Sequence, residues 1–271
     1  PTPLQENLVI GYPCLRCLLH GCRKGLVSTC FRNLMTLREV FESRTEEWIS
    51  TTSRTICEDI GLDWNLVSCI VRVCTRNPGY VPGYRMSRND SDPDKIRKWL
   101  NRFNQSFLNR PSRKTGAQMT TISDPLIDVI FEAYGYQNTD EIRTNHRNSM
   151  MAENILGSLL EEYLHQNVIG TRWRVAWGES VKSVDVVKCN ADGTFVLLQV
   201  KNKYNSENSS SQAVREGTTI EKWHRLKADG TTRWPELCQL FGLQQNQMTE
   251  QGYRDWVTVQ IRNNPAMISF E

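Results

Sequence analysis

No apolar run in this chain reaches the roughly 18 residues that a membrane-spanning helix needs, so no transmembrane segment is expected. The N-terminus, numbered from Pro1, lacks a signal-peptide pattern, and the expectation is a cytoplasmic protein. Internal repeats and long low-complexity stretches are missing too, which excludes solenoid and array architectures. An even cysteine set is also lacking. The nine cysteines fall at Cys14, Cys17, Cys22, Cys30, Cys57, Cys69, Cys74, Cys189 and Cys238. An odd, scattered set argues against a complete disulfide framework and for reduced thiols. Overall charge is slight as well, with a formal net of +3.

What is present is an ordinary soluble composition, 39% hydrophobic and 23% charged over 271 residues. That is enough chain for a sizeable core in one large or two small domains. Charge is unevenly placed. Between Val71 and Thr115 eleven Lys and Arg face only Asp90, Asp92 and Asp94, a local excess of +8. Such a block can follow a phosphate backbone, or it can be a solvated helix face. Near the start, Cys14, Cys17, His20 and Cys22 could together ligate zinc. They crowd into nine residues of an apolar helical segment, whereas structural zinc sites use separated ligand pairs, so buried free thiols are the competing reading.

The region up to about Val73 reads as mainly helical, including Thr36 to Ile49. Asn77 to Gly83 is a break. Asp92-Pro93-Asp94 opens a helix with Asp92 as the expected cap and Ile96, Trp99, Leu100, Phe103 and Phe107 as its apolar stripe. A loop at Pro111 to Gly116 and a short helix from Asp124 to Tyr134 follow. Ala152 to His165 is a strong helix carrying Glu153 in its first turn, and Arg172 to Trp177 a strand. Thr218 to Leu226 is expected to be helical, Trp234 to Phe241 helical, and Trp256 to Ile261 a strand. The sum is an α/β fold, a mixed β-sheet flanked by helices. A mainly helical N-terminal region, 1–140, precedes a core at 141–271.

The chemistry concentrates in VDVVKCNADGTFVLLQVK, Val184 to Lys201. Two β-branched, apolar runs flank Asn190-Ala191-Asp192-Gly193, which is turn chemistry, so the stretch reads as a β-hairpin. Alternation puts Gln199 and Lys201 on one strand face, and the fold-back sets Asp185 opposite Leu198 or Gln199. An Asp followed on a later strand by acid-x-Lys is the pattern of the PD-(D/E)xK nucleases, here Asp185-x13-Gln199-x-Lys201. Its logic is a hard divalent ion on oxygen ligands beside a scissile phosphate. On that pattern Asp185 would supply a carboxylate, Gln199 an amide oxygen where an acid is usual, and Val200 a backbone carbonyl as a further candidate ligand. Lys201 would orient the attacking water. Glu153, from an upstream helix, is the candidate for the missing charge. The plain structural alternative is a strand-end Asp and a Lys extended to solvent.

From His146 to Trp223 the chain resembles the SinI-type restriction endonucleases. The resemblance rests on NSMMAENILGSLLEEYL, SVDVV and LLQVKNKYNSENSSSQAVREGTTIEKW. It implies a restriction-endonuclease-like core and a type II enzyme that hydrolyses double-stranded DNA with Mg²⁺. The implied target is GGWCC, cut by a homodimer. On that reading Asn202, Asn205, Ser206, Asn208, Ser209, Ser210, Ser211 and Arg215 are candidates for reading base edges. Lys203, Thr218, Lys222, His224 and Arg225 are candidates for phosphate contacts. The basic segment around Arg97 would grip the backbone or build the dimer. Two alternatives stand beside it: a structure-selective or repair nuclease of the same fold, and an inactive DNA-binding module.

Overall fold

A computed structural model describes residues 36–87, 89–113, 125–136, 138–203 and 219–268. The candidate zinc cluster of Cys14, Cys17, His20 and Cys22 lies outside them. So do Asn205, Ser206, Asn208, Ser209, Ser210, Ser211, Arg215 and Thr218.

The described N-terminal part is helical: α1 (Leu37–Ser43), α2 (Glu46–Ile60), α3 (Trp64–Arg76) and α4 (Asp92–Leu108). The helix expected across Thr36 to Ile49 is two. Arg44 is extended, and the Thr45 side chain accepts from the Trp48 N–H to start α2 afresh. The cap of α4 is Ser91 rather than Asp92. Ser91 and Asp94 form a capping box, with Pro93 in the first turn where no intrahelical N–H is needed. Its stripe is buried from Ile96 to Phe103, with Trp99 1% and Phe103 1% exposed, while Phe107 is half-buried at the core's edge. After a 3-10 turn at Pro111–Arg113 come α5 (Pro125–Ala133) and the long α6 (Thr139–Val168). Because α6 begins at Thr139, Glu153 sits mid-helix and not in a first turn.

The sheet comprises β1 (Trp173–Val175), β2 (Val186–Cys189), β3 (Phe195–Lys203) and β4 (Ile220–Leu226), in that order across it. β1–β2 and β2–β3 are antiparallel, and β3–β4 is parallel, so the sheet is mixed. The hairpin forms as read, with Gly193 at φ +85° in its turn. Two assignments change. Ile220 to Leu226 is a strand: its alternation buries Trp223 and Arg225 on one face, and pairing with β3 overrides the local helical tendency. Trp256 to Ile261 lies in a helix, α8 (Glu250–Asn263), which follows α7 (Trp234–Phe241). Thr249 caps α8, and Tyr253, Trp256 and Val257 pack inward at helical spacing.

Both faces of the hairpin are covered, with Val186, Val187, Leu197 and Leu198 all at most 2% exposed. Helix α3 contacts β1 and β2, and α6 contacts β1 and β3. One apolar core runs from Leu37 to Tyr253, joining the N-terminal helices to the sheet. The thiols also depart from expectation. Cys69 on α3 and Cys189 at the end of β2 form a disulfide, their Cα atoms 5.9 Å apart. Cys57, Cys74 and Cys238 are free and buried.

Candidate active site

A cleft of about 770 Å³ opens beside the strand ends. One wall is built by α4 and its flanks: Tyr84 before the helix, Gln105 and Ser106 on it, and Asn109 and Arg110 just after it. The other carries Trp177 to Glu179, Lys182 to Asp185, Gln199 and Lys201, while Ser158 and Glu161 enter from α6.

Local geometry sets Asp185 firmly. Its N–H donates to the Leu198 carbonyl at 2.9 Å, and its own carbonyl accepts from the Ala176 N–H at 2.8 Å. Val186 pairs with Leu198, so continuing the antiparallel register puts Asp185 across from Gln199. Asp185 Oδ2 accepts from the Val200 N–H at 2.7 Å, which ties the carboxylate to the strand carrying Gln199 and Lys201. Burial raises the Asp185 pKa. The Val200 N–H and Lys201 oppose that rise, and the Glu179 charge adds to it. Such a carboxylate gains from a cation beside it.

The turn before Asp185 is unusual. Gly178 has φ +70° and Glu179 φ +55°. Space explains the glycine, since a Cβ on it would lie 2.6 Å from Ser106 Oγ and 2.9 Å from the Arg102 carbonyl oxygen. The Tyr84 hydroxyl lies 2.7 and 2.9 Å from the carbonyl oxygens of Gly178 and Glu179. Burial pushes that phenol up to about 12, so it serves as a neutral donor. Across the cleft, the buried Glu162 accepts from Arg110 Nε at 3.2 Å and from the Ser112 N–H at 3.0 Å. That fastens the Arg110–Pro111 wall to α6.

The structure brings Asp185, Gln199 and Lys201 together in this cleft. Glu153 is elsewhere: it is exposed and paired with Lys203 at 2.7 Å, outside the cleft lining. The carboxylates that join Asp185 in the lining are Glu161 and Glu179. Nothing local in the sequence marks either. Glu161 shares its helix with Glu153, and Glu179 follows a turn glycine. Arg225 is 6% exposed. Its Nε donates to Asn202 Oδ1 at 2.8 Å, its Nη1 bonds Glu250, and its guanidinium lies over the Tyr253 ring. Arg225 and Asn202 therefore brace β3 and β4 against α8 rather than reach outward. Lys222 and His224 pair with Gln199 and Lys201 across β3–β4, and burial lowers the His224 pKa, favouring the neutral ring. Much of the basic block is satisfied internally: Arg97 by Asp59 at 2.8 Å, Lys98 by Asp90 at 2.7 Å, and Lys95 by Asp92 at 3.4 Å.

Among the described residues no three His, Cys, Asp or Glu side chains converge to hold a metal ion. A cation here would draw on one carboxylate, Asp185, the amide oxygen of Gln199 and the Val200 carbonyl. Those are hard oxygen donors, and Mg²⁺ takes few protein ligands and keeps several waters, so the donor set fits it.

The site is thus a mixed sheet that presents a buried carboxylate, an amide and a lysine to one cleft. The chain belongs to the SinI restriction endonuclease family, whose model matches residues 70–263 and so spans both cleft walls. It is 40% identical to the type II restriction enzyme Eco47I of Escherichia coli over 120 residues, 42% of this chain and 52% of that enzyme. It is 36% identical to the type II restriction enzyme SinI of Salmonella infantis over 155 residues, 55% of this chain and 66% of that enzyme. The matched stretch thus spans between about half and two thirds of each relative.

Proposed function

We propose that this protein is a type II restriction endonuclease that hydrolyses phosphodiesters of double-stranded DNA, using a PD-(D/E)xK-type core and Mg²⁺. The observation that carries the reading is the Val200 N–H bond to Asp185. It locks the carboxylate of one strand to the strand bearing Gln199 and Lys201, in a cleft large enough for a phosphodiester. When bound, Mg²⁺ supplies Lewis-acid polarisation and fixed positive charge beside the scissile phosphate. Asp185, Gln199 and the Val200 carbonyl would hold it. Lys201, exposed in the cleft, orients a water for in-line attack and lowers its pKa by proximity. The P–O bond to that water forms as the bond to the departing 3′-oxygen breaks.

In sequence, residues 204–218 connect β3, which ends at Lys203, to β4, which begins at Ile220, so base reading by Asn205, Asn208 and Ser209 would be coupled to the cleavage strand. A GGWCC target is read equivalently from both strands and calls for two active sites, hence a homodimer. A second reading is favoured by Gln199, which leaves the site one negative charge short: a DNA-binding module without cleavage.

The test is digestion of a mixed-sequence plasmid with and without Mg²⁺, for the native protein and Lys201→Ala. Discrete fragments that require Mg²⁺, with a loss of about 100-fold or more in the variant, are expected. Sequencing their ends gives the target. A smear would point to a structure-selective or repair nuclease. DNA binding with no cleavage under any divalent ion would leave only the binding module.

A further inference from the structure

We propose that the concavity between α3 and the outer side of β1 is a second anion site, separate from the cleft, that takes a phosphate group on Arg72, Arg172 and Arg174. The hollow measures about 310 Å³, and its lining holds those three arginines with Asn65, Ser68 and no Asp or Glu. The sequence builds it simply. Asn65, Ser68 and Arg72 recur along one face of α3 at helical spacing, and Arg172 and Arg174 alternate with Trp173, which is buried.

Arg174 is preset for such a role. Its Nε donates to the Asn65 carbonyl at 2.8 Å and its Nη1 to the carbonyls of Thr171 at 2.6 Å and Trp173 at 2.7 Å. Those bonds fix the guanidinium plane and leave Nη2 unused among the described residues. Arg72 and Arg172 are exposed, and neither forms an ion pair among the described residues. Several basic side chains elsewhere are matched with carboxylates, among them Arg44–Asp92, Arg97–Asp59 and Arg110–Glu162. Three guanidiniums gathered without an acid repel one another, and a tetrahedral oxyanion relieves that repulsion while accepting forked hydrogen bonds. The disulfide from Cys69 to Cys189 ties the two walls together, since both cysteines line the hollow.

The phosphate could belong to DNA or be free. Along β2 the hollow begins at Arg174, which pairs with Val187, about 7 Å from Asp185 at roughly 3.3 Å per residue, and extends past Cys189 at the strand's far end. A phosphate held there would lie within a few base pairs of the scissile one along a duplex axis, as a backbone contact flanking the cut does. The DNA source rests on the proposed function; the phosphate chemistry does not.

The test compares the native protein, Arg72→Ala/Arg172→Ala and the charge-keeping Arg72→Lys/Arg172→Lys. Arg174 is left intact because it ties three backbone segments. Inorganic phosphate is titrated by calorimetry, and duplex binding without divalent ions is followed against salt. If DNA supplies the phosphate, the salt slope falls by about 2 in the alanine pair on a long duplex only, and the lysine pair restores most of it. If phosphate binding is lost in the alanine pair while duplex slopes stay equal, the occupant is free phosphate. Equal phosphate binding and equal slopes in all three proteins would overturn the site. A native protein that ignores duplex DNA altogether would refute the proposed function, and the phosphate titration would still decide this one.

Discussion

At Glu162 a carboxylate only 1% exposed collects donors from a single loop: Arg110 Nε, the Ser112 N–H and the Ser112 hydroxyl. Removing it strands the Arg110 guanidinium, whose side chain is 15% exposed. Glu162→Ala is expected to cost about 3–5 kcal/mol in urea unfolding, because breaking one half of a buried pair leaves an uncompensated charge. Glu162→Gln, which keeps the shape and one acceptor, should lose less. A loss below about 1 kcal/mol in the alanine variant would show that the loop is held by other contacts. The neighbouring glutamates also show what sequence conveys at this scale. Asp185, Gln199 and Lys201 were legible because turn residues and strand alternation dictate which side chains meet. Glu161 and Glu162 stand side by side on α6, yet one lines the cleft and the other anchors its wall. Only the packing of α6 against distant loops separates them.

Among the elements, the turn at Trp177–Glu179 joins the two cleft walls, and Gly178 is its hinge of tolerance. Gly178→Ala combines φ +70° with a Cβ 2.9 Å from the Arg102 backbone oxygen. A destabilisation of roughly 1–3 kcal/mol is expected, read as a lower melting temperature. A variant as stable as the native protein would mean that α4 can retreat from the turn. The hairpin and α4 were readable because their signals are local: Asn-Ala-Asp-Gly in one, Ser-Asp-Pro-Asp and a clean apolar stripe in the other. β4 and α8 were misread for opposite reasons. Thr219 before a polar run imitates a helix cap, but parallel pairing with β3 is a long-range contact that no local window contains. Val257, Thr258, Val259 and Ile261 imitate a strand, yet the Thr249 cap and an inward Tyr253 make helix the better burial.

For the whole molecule, the Cys69–Cys189 disulfide bridges 120 residues of sequence and binds an N-terminal helix to the β2–β3 hairpin. A cross-link over so long a loop restricts the unfolded chain strongly, and Cys69→Ser/Cys189→Ser is expected to lower stability by about 2–4 kcal/mol. In a reducing compartment the pair would be open, and the shared core would have to carry the association alone. That core is extensive, so the double variant should still melt in one transition with both halves unfolding together. Thiol labelling reads the same architecture. Cys57 is pushed up to about 12 by burial and Cys74 is raised by burial alone, so both should stay unmodified until unfolding. A non-reducing digest of oxidised protein should yield the Cys69 and Cys189 peptides joined. Free labelling of both in the native state would mean the walls meet by packing without the bond, and the arginine-lined hollow between them would then depend on the fit of α3 against β1.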